Sequence, residues 1–394
     1  MANAAPPPAK RVYFHVGAPK TGTTYLQQVL FQNRETLAAN GVLFPYERFG
    51  DSFRSMQAFR GVGWGGRPAS EFKGAWTAVA KRTREWRGDT VIISNELLGG
   101  SKPERIAAGI ASVQPADVHV VFSARDFARQ LVSDWQEHVK HKHTVTLEKF
   151  VDDLIELGLD APKPFGELFW GMHDAAHVLA RWAEVVPVEN IHVVTIPQRG
   201  APGDTLWRRF CNVTGLDPEG YETKTKRSNA SMGVAETELV RRLNFKARKI
   251  QSGDYDRLIR IVLAEHILGG QSPRLTLPPG RMEWVTKRSR QLIDDLKAAG
   301  YQVEGDLEEL MPNEADHAEH VSPTELTEAD LAPAAIRAAA GLLRHSARQR
   351  RKIVALEAKL DPSLRGSARD RARAAWSRSR MSAGRRLRRI GLRR

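Results

Sequence analysis

Between Arg11 and Asn33 the chain reads RVYFHVGAPKTGTTYLQQVLFQN: an apolar run, a cluster of glycine, lysine and threonine, then residues at helical spacing. Gly17 and Gly22 keep the five-residue step of the nucleoside-triphosphatase loop G-x-x-x-x-G-K-[ST], but Thr23 stands where that loop carries lysine, and Thr24 follows it. The lysine is Lys20, inside the loop. Glycine lets the backbone turn tightly, and the N–H groups that open the next helix then face an anion with the helix dipole behind them. The turn reads as a phosphate cradle. Its lysine would reach a bridging oxygen near the 5′ end of a nucleotide rather than a β/γ-phosphate pair. The plain alternative is an ordinary strand-to-helix turn.

A second constellation lies in VVFSARDFARQLVSDWQ, where Arg125 ends an apolar run and Ser133 follows eight residues on. At 100° per residue Ser133 falls roughly opposite the stripe formed by Phe127, Leu131, Val132, Trp135 and Val139, so it is free to meet a ligand. Arg125 offers phosphate a forked donor. Alone, such a pair is more often a surface salt bridge and a solvated hydroxyl. About 100 residues after a lysine-bearing loop, on a separate strand and helix, it reads as a second phosphate contact.

Together these residues resemble the sulfotransferases that use 3′-phosphoadenosine-5′-phosphosulfate (PAPS), of bacterial type. APKTGTTYLQ is similar to their 5′-phosphosulfate loop, P-K-[ST]-G-T-T, and Arg125 with Ser133 matches their 3′-phosphate motif in spacing. The resemblance implies an α/β, three-layer P-loop-like fold with a central parallel sheet. It also implies PAPS as co-substrate without a metal, bound by Lys20, Thr21, Gly22, Thr23, Thr24, Arg125 and Ser133. It is strong from residue 11 to about 140, weak to about 310, and does not include the tail. The family further closes a later segment over the nucleotide. Here YETKTKRSNASMG offers Lys226, Arg227, Asn229 and Gly233, with Arg227 the candidate for the 3′-phosphate or adenine, although the R-K-G of many relatives is absent.

Transfer to a hydroxyl or amine needs a base. Cytosolic members end an intervening strand with K-T-H-L-P, and aligning VIISNELLGG with it puts Glu96 on the histidine. Carbohydrate- and tyrosine-directed branches use glutamate, and a carboxylate just off a strand end is chemically fit to take the proton. The competing reading of Glu96 is a helix-opening carboxylate. Glu47 is the chief rival; His138, in the polar run EHVKHKHT, is a poorer candidate. His138, His141 and His143 lack the paired spacing of a metal site. The expected chemistry is in-line sulfuryl transfer: Lys20 and the loop amides neutralise the leaving oxygen, Glu96 takes the proton, and Arg125 and Ser133 select the 3′-phosphate. The expected acceptor is a small molecule, a carbohydrate or a lipid, and FGDSFRSMQAFRGVGWGGRP supplies candidate pocket residues. Two other classes compete. A P-loop nucleoside-triphosphate kinase would want lysine at position 23, and a non-catalytic membrane- or nucleic-acid-binding protein would leave both phosphate motifs unexplained.

The elements that must position these residues are visible as RVYFHVG, DTVIISNE, DVHVVFSAR and NIHVVTIP, short apolar runs alternating with amphipathic helices. That pattern predicts a parallel sheet covered on both faces, with ligands at the strands' carboxyl ends. From Val234 to about Leu310 the pattern is mostly helical. The chain of 394 residues, 41% hydrophobic, can bury one large core or two smaller ones. The expected organisation is a flexible leader, 1–10; a sulfotransferase domain, 11–312; an acidic linker, 313–333; and an Arg-rich tail, 334–394, helical or disordered. That tail carries 19 Lys and Arg against 3 Asp and Glu, a net +16 in a chain of net +14, so the rest is near neutral at −2. It reads either as a solvated appendage or as a polybasic anchor for anionic lipid, with Trp376, Leu387, Ile390 and Leu392 among the arginines; nucleic acid ranks behind. The leader lacks a secretory apolar stretch and the sole cysteine, Cys211, reads as a core thiol. The expectation is a cytoplasmic protein, peripheral at the inner membrane face if the tail binds lipid.

Overall fold

The apolar runs become strands of one six-stranded sheet in which every neighbouring pair is parallel, in the order β2-β3-β1-β4-β5-β6. In the computed structural model, which describes residues 10–225 and 231–360, these strands are β1 (Arg11–Gly17), β2 (Val42–Leu43), β3 (Thr90–Ser94), β4 (Asp117–Ala124), β5 (Ile191–Thr195) and β6 (Gln302–Glu304). The four expected strands are β1, β3, β4 and β5. The two edge strands, two and three residues long, are too short to give a periodic signal.

Every residue of β3, and all of β1 but its first, is buried. Because successive side chains point to opposite faces, both faces must be covered. The neighbours of β1 identify the covers. Phe14 meets Trp182 of the Ala175–Ala183 helix at 5.6 Å between ring centroids, and the next residue, His15, meets Phe210 of the Thr205–Thr214 helix at 5.4 Å. Consecutive residues thus touch helices on opposite sides, which makes three layers. Cys211, beside Phe210, is fully buried, and burial pushes its thiol up to about 12.

His15 also fastens the three central strands to one another. Its Nδ1 lies 2.8 Å from Ser94 Oγ on β3 and its Nε2 3.0 Å from Ser123 Oγ on β4. Burial pushes the imidazole down to about 4, so the ring is neutral and one nitrogen accepts.

Beyond β5 the chain is helical, with Val234–Lys246, a short Ser252–Tyr255 turn that continues in π form through Asp256–Ile267, and Met282–Ala299. The stretch 313–333, read above as a linker, is bonded to its surroundings. His317 Nδ1 accepts from the Leu277 N–H at 2.9 Å, Ser322 Oγ donates to Glu148 at 2.8 Å, and Arg242 donates to the Leu326 carbonyl at 2.7 Å. The chain divides into two units, 1–331 and 332–394. In the second, the described residues continue the Glu328–Leu360 helix, on which Leu343, Ile353 and Leu356 are exposed. The leader before Lys10 and the residues Trp376, Leu387, Ile390 and Leu392 lie outside the described residues. Among the described residues no helix is long and apolar enough to cross a membrane.

The buried imidazole makes stability depend on pH. An unfolded His15 titrates near 6.5 and the folded one near 4. The unfolded chain therefore takes up the extra proton as the pH falls between these values, and stability present above pH 6.5 is lost on the way to pH 4 by up to about 3 kcal/mol. His15→Gln should be less stable than the wild type at pH 7 but show a flatter loss from pH 6.5 to 4, measured by urea unfolding at each pH.

Candidate active site

β1 delivers the loop to the sheet's carboxyl edge in a conformation most residues resist. Gly17 has φ 147°, Lys20 φ 63° and Gly22 φ 83°. A side chain at Gly22 would also meet Leu206 Cδ2, 2.5 Å from an ideal Cβ. Lys20, carrying a Cβ in the left-handed region, costs about 1–2 kcal/mol, which local bonds offset. The Ala18 N–H donates to the Ser123 carbonyl of β4 at 2.9 Å, and Thr21 Oγ1 donates to the Ala18 carbonyl at 2.6 Å. Thr21 and Thr23 are buried, Thr24 is half-buried, and the Thr23–Gln32 helix opens on Gly22 with no side-chain cap, leaving its first-turn amides to an anion.

The loop lysine is held from both ends. Its carbonyl accepts from Arg125 Nη1 at 2.9 Å, and its ammonium forms an ion pair with Glu137 on the Phe127–Lys140 helix. The two charged side chains are 30% and 27% exposed, so the pair borders solvent. Burial disfavours the ammonium, but the Glu137 carboxylate outweighs it, with Asp134 and Glu96 adding, and Lys20 stays above its usual range. Burial likewise opposes the Glu137 carboxylate, yet Lys20 and His141 hold it well below its ordinary value. His141 Nε2 sits 3.3 Å from Glu137 Oε1.

Glu96 opens the short turn Glu96–Gly100 directly after β3, half-buried, with Asn95 capping the turn through the Leu97 N–H at 3.0 Å. Its Oε2 accepts from Gln27 Nε2 at 2.9 Å, so the loop's own helix orients it. Arg125 leaves β4 at the other side of Lys20. Burial and then the neighbouring Arg129 charge lower it to about 10, and it remains cationic near neutrality. Its Nε is buried and, among the described residues, has no hydrogen-bond partner; the same holds for Arg129 Nη2. Asp126 caps the Phe127–Lys140 helix through the Arg129 N–H at 2.9 Å and pairs with the Arg129 guanidinium. Ser133 is half-buried one turn before Glu137, on the same helix face. The arrangement can therefore hold anions at two points one strand apart, with two carboxylates near the lysine between them.

No family model matches the chain, and no curated protein matches it. A solved sulfotransferase from Alicyclobacillus acidocaldarius does match in structure, at 16% identity and a TM-score of 0.38, over 64% of this chain and 96% of that one. The chain is similar to a bacterial sulfotransferase.

The structure gathers Lys20, Thr21, Gly22, Thr23, Thr24, Glu96 and Arg125 at the carboxyl ends of β1, β3 and β4, with Ser133 on the helix after β4, one turn before the Lys20 partner Glu137. Glu47 is engaged elsewhere, 73% exposed and paired with Arg82 at 2.6 Å. Arg227, with Lys226 and Asn229, lies outside the described residues. The polar run around His138 is not uniformly solvated, as its composition suggested. The His138 side chain is 8% exposed, packed against Phe150 and Phe165, because the Leu147–Leu157 and Phe165–His173 helices fold back over that face. Among the described residues no group of three or more His, Cys, Asp or Glu is placed to hold a metal ion. Trp64, from the segment proposed to line an acceptor pocket, stands 5.8 Å from the His141 ring and 5.7 Å from that of Phe53. Glu137 was missed. The available signal was its position four residues after Ser133, hence on the same helix face.

Replacing Gly22 tests the loop's geometry. Gly22→Val meets both the left-handed φ and the Leu206 contact, and should destabilise the protein by about 1–2 kcal/mol. It should also weaken 3′-phosphoadenosine 5′-phosphate at least tenfold, read by calorimetric titration and thermal melting; unchanged affinity would separate the loop from anion binding.

Proposed function

We propose that this protein transfers a sulfuryl group from PAPS to a hydroxyl or amine acceptor. The observation that carries the reading is the Lys20 contact with Arg125, which joins a lysine-bearing phosphate loop to a phosphate-binding arginine on the adjacent strand. One nucleotide with phosphates at both its 5′ and 3′ positions suits such a pair. The donor supplies the sulfuryl group on a phosphate leaving group. Guanidinium nitrogens of Arg125 and Arg129 that are buried and, among the described residues, without partners suit its 3′-phosphate.

In this reading Thr21 and the N–H groups of Gly22, Thr23 and Thr24 orient the 5′ end, and Lys20 neutralises charge on the departing oxygen. Arg125 and Ser133 take the 3′-phosphate. Glu96 accepts the acceptor's proton as the new oxygen–sulfur bond forms and the sulfur–oxygen bond to phosphate breaks. Glu137 is the weaker base while its carboxylate is engaged with Lys20 and His141, whereas Glu96 is held by the neutral amide of Gln27. Trp64, Phe53 and His141 make one wall for a carbohydrate, glycolipid or other small acceptor. Thr23, standing where a kinase loop has lysine, weighs against nucleoside-triphosphate chemistry.

The Arg-rich tail fits a cytoplasmic protein held peripherally at an anionic membrane face. On the described part of the Glu328–Leu360 helix, exposed Leu343, Ile353 and Leu356 flank the basic block Arg348, Arg350, Arg351 and Lys352.

Three measurements follow from these roles. Calorimetric titration should show strong preference for 3′-phosphoadenosine 5′-phosphate over ATP, and Lys20→Ala should keep the fold while lowering turnover by about 10²-fold or more; near-normal turnover would remove the loop from the donor site. Deleting residues 334–394 should leave turnover on a soluble acceptor unchanged but abolish salt-sensitive sedimentation with anionic vesicles. Retained sedimentation would end the membrane reading of the tail.

A further inference from the structure

Beside Arg125 the structure assembles more positive charge than a helix cap requires. Arg129, 7% exposed, spends Nε on Asp126 and Nη1 on the Pro197 carbonyl at 3.3 Å, leaving Nη2 buried. Two residues beyond Pro197, Arg199 reaches Asp316 with Nε at 3.2 Å from Oδ2. The Arg125 guanidinium feels all of these groups: Arg129 and Arg199 depress it, while Asp126 and Asp316 oppose them. Three arginines thus converge with two carboxylates. Asp126 is committed, because it caps the Phe127–Lys140 helix as well as pairing with Arg129. Asp316 is not.

Asp316 comes from the acidic stretch, in the short turn Glu314–His317, whose attachments are few and mostly single. Asn313 Oδ1 accepts from the Ala315 N–H at 3.1 Å. His317 Nδ1 accepts from the Leu277 N–H, so its proton lies on Nε2. Thr276 Oγ1 reaches the Glu319 carbonyl at 3.3 Å and His320 Nδ1 at 3.1 Å. Burial lowers the basicity of His317, favouring a neutral ring beside the arginines. Arg199 is 39% exposed and Asp316 16%. Asp316 Oδ2 is itself buried and, among the described residues, has no hydrogen-bond partner, so this charge contact leaves an under-satisfied carboxylate on an arginine at the rim of the cluster.

We propose that Arg199 is a further 3′-phosphate ligand and that Asp316 stands in for that phosphate in the free protein. This rests on the sulfuryl-donor reading and deepens it. A phosphate dianion brings more charge and more acceptor oxygens than the Asp316 carboxylate. It satisfies the buried nitrogens of Arg125 and Arg129 and draws Arg199 off Asp316. A nucleotide with phosphate only at its 5′ end reaches the loop and gains nothing from this exchange. Arg199 thereby discriminates nucleotides, and Asp316 sets the threshold against which the 3′-phosphate must compete.

The test is calorimetric titration of the full chain with 3′-phosphoadenosine 5′-phosphate and, separately, adenosine 5′-phosphate, on the wild type, Asp316→Asn and Arg199→Gln, each checked by thermal melting. Removing the competing carboxylate in Asp316→Asn should tighten the 3′-phosphorylated nucleotide several-fold and leave adenosine 5′-phosphate unchanged. Arg199→Gln, at an exposed position where folding is secure, should weaken the 3′-phosphorylated nucleotide roughly tenfold or more, again without effect on the other. The assignment is overturned if Asp316→Asn does not tighten that ligand, or if Arg199→Gln weakens both ligands equally, while the wild type still prefers the 3′-phosphate. A wild type that binds both nucleotides equally overturns the donor reading itself, and this assignment with it.

Discussion

The site depends on the parallel pairing of β1 with β4. In that register Gly17 lies opposite Phe122, and the two strands end side by side, so the loop after one and the arginine after the other meet, Arg125 donating to the Lys20 carbonyl. The Ala18 hydrogen bond to Ser123 continues the pairing into the loop itself. β1 is also where the sheet's strand order reverses, with β3 and β2 to one side and β4 to β6 to the other. Ligands of open α/β sheets bind at such a place because the connections leave it uncovered. His15, bridging β3 and β4 through β1, keeps all three carboxyl ends in step.

Upon that frame the charges beside the loop are set against one another. Lys20 would be costly where it sits, half-buried and in a left-handed conformation, without Glu137. Glu137 would be equally costly without Lys20 and His141. Glu96 takes a different partner, the amide of Gln27, and so is not spent on an ion pair. Two carboxylates flank one lysine in different electrostatic settings, Glu137 in an ion pair and Glu96 on a neutral amide. The arginine side is similarly graded, from Arg125, bonded to the loop, through buried Arg129 to Arg199 at the rim.

The later chain contributes walls rather than scaffold. Helices from Leu147 to His173 cover the underside of the Phe127–Lys140 helix, which converts a histidine-rich polar run into packed core at His138. Asp134 serves this packing, lying 3.3 Å from both His138 and His173. The acidic stretch, near the opposite end of the chain from the loop, returns to the sheet's carboxyl edge behind β5. Gln198 anchors its approach, donating to the Glu309 and Met311 carbonyls at 2.7 and 3.0 Å.

Local pattern was enough for the four long strands, since a buried parallel strand is a continuous apolar run whatever it pairs with. It was enough for the loop's turn and for the places of Arg125 at a strand end and Ser133 on the helix after it, because glycine at a left-handed turn and a serine opposite an apolar stripe are properties of a few neighbouring residues. It missed β2 and β6, whose two or three residues are strands only because β3 and β5 lie beside them. It could not choose between Glu96 and Glu47, similar carboxylates that differ in what the fold sets next to each, Gln27 for one and Arg82 for the other. The ion pairs of Glu137 and Asp316 were not legible for the same reason. Their partners lie 117 residues away, at Lys20 for Glu137 and at Arg199 for Asp316, across the same separation in sequence. An ion pair between distant segments exists only once the sheet has brought both to one edge.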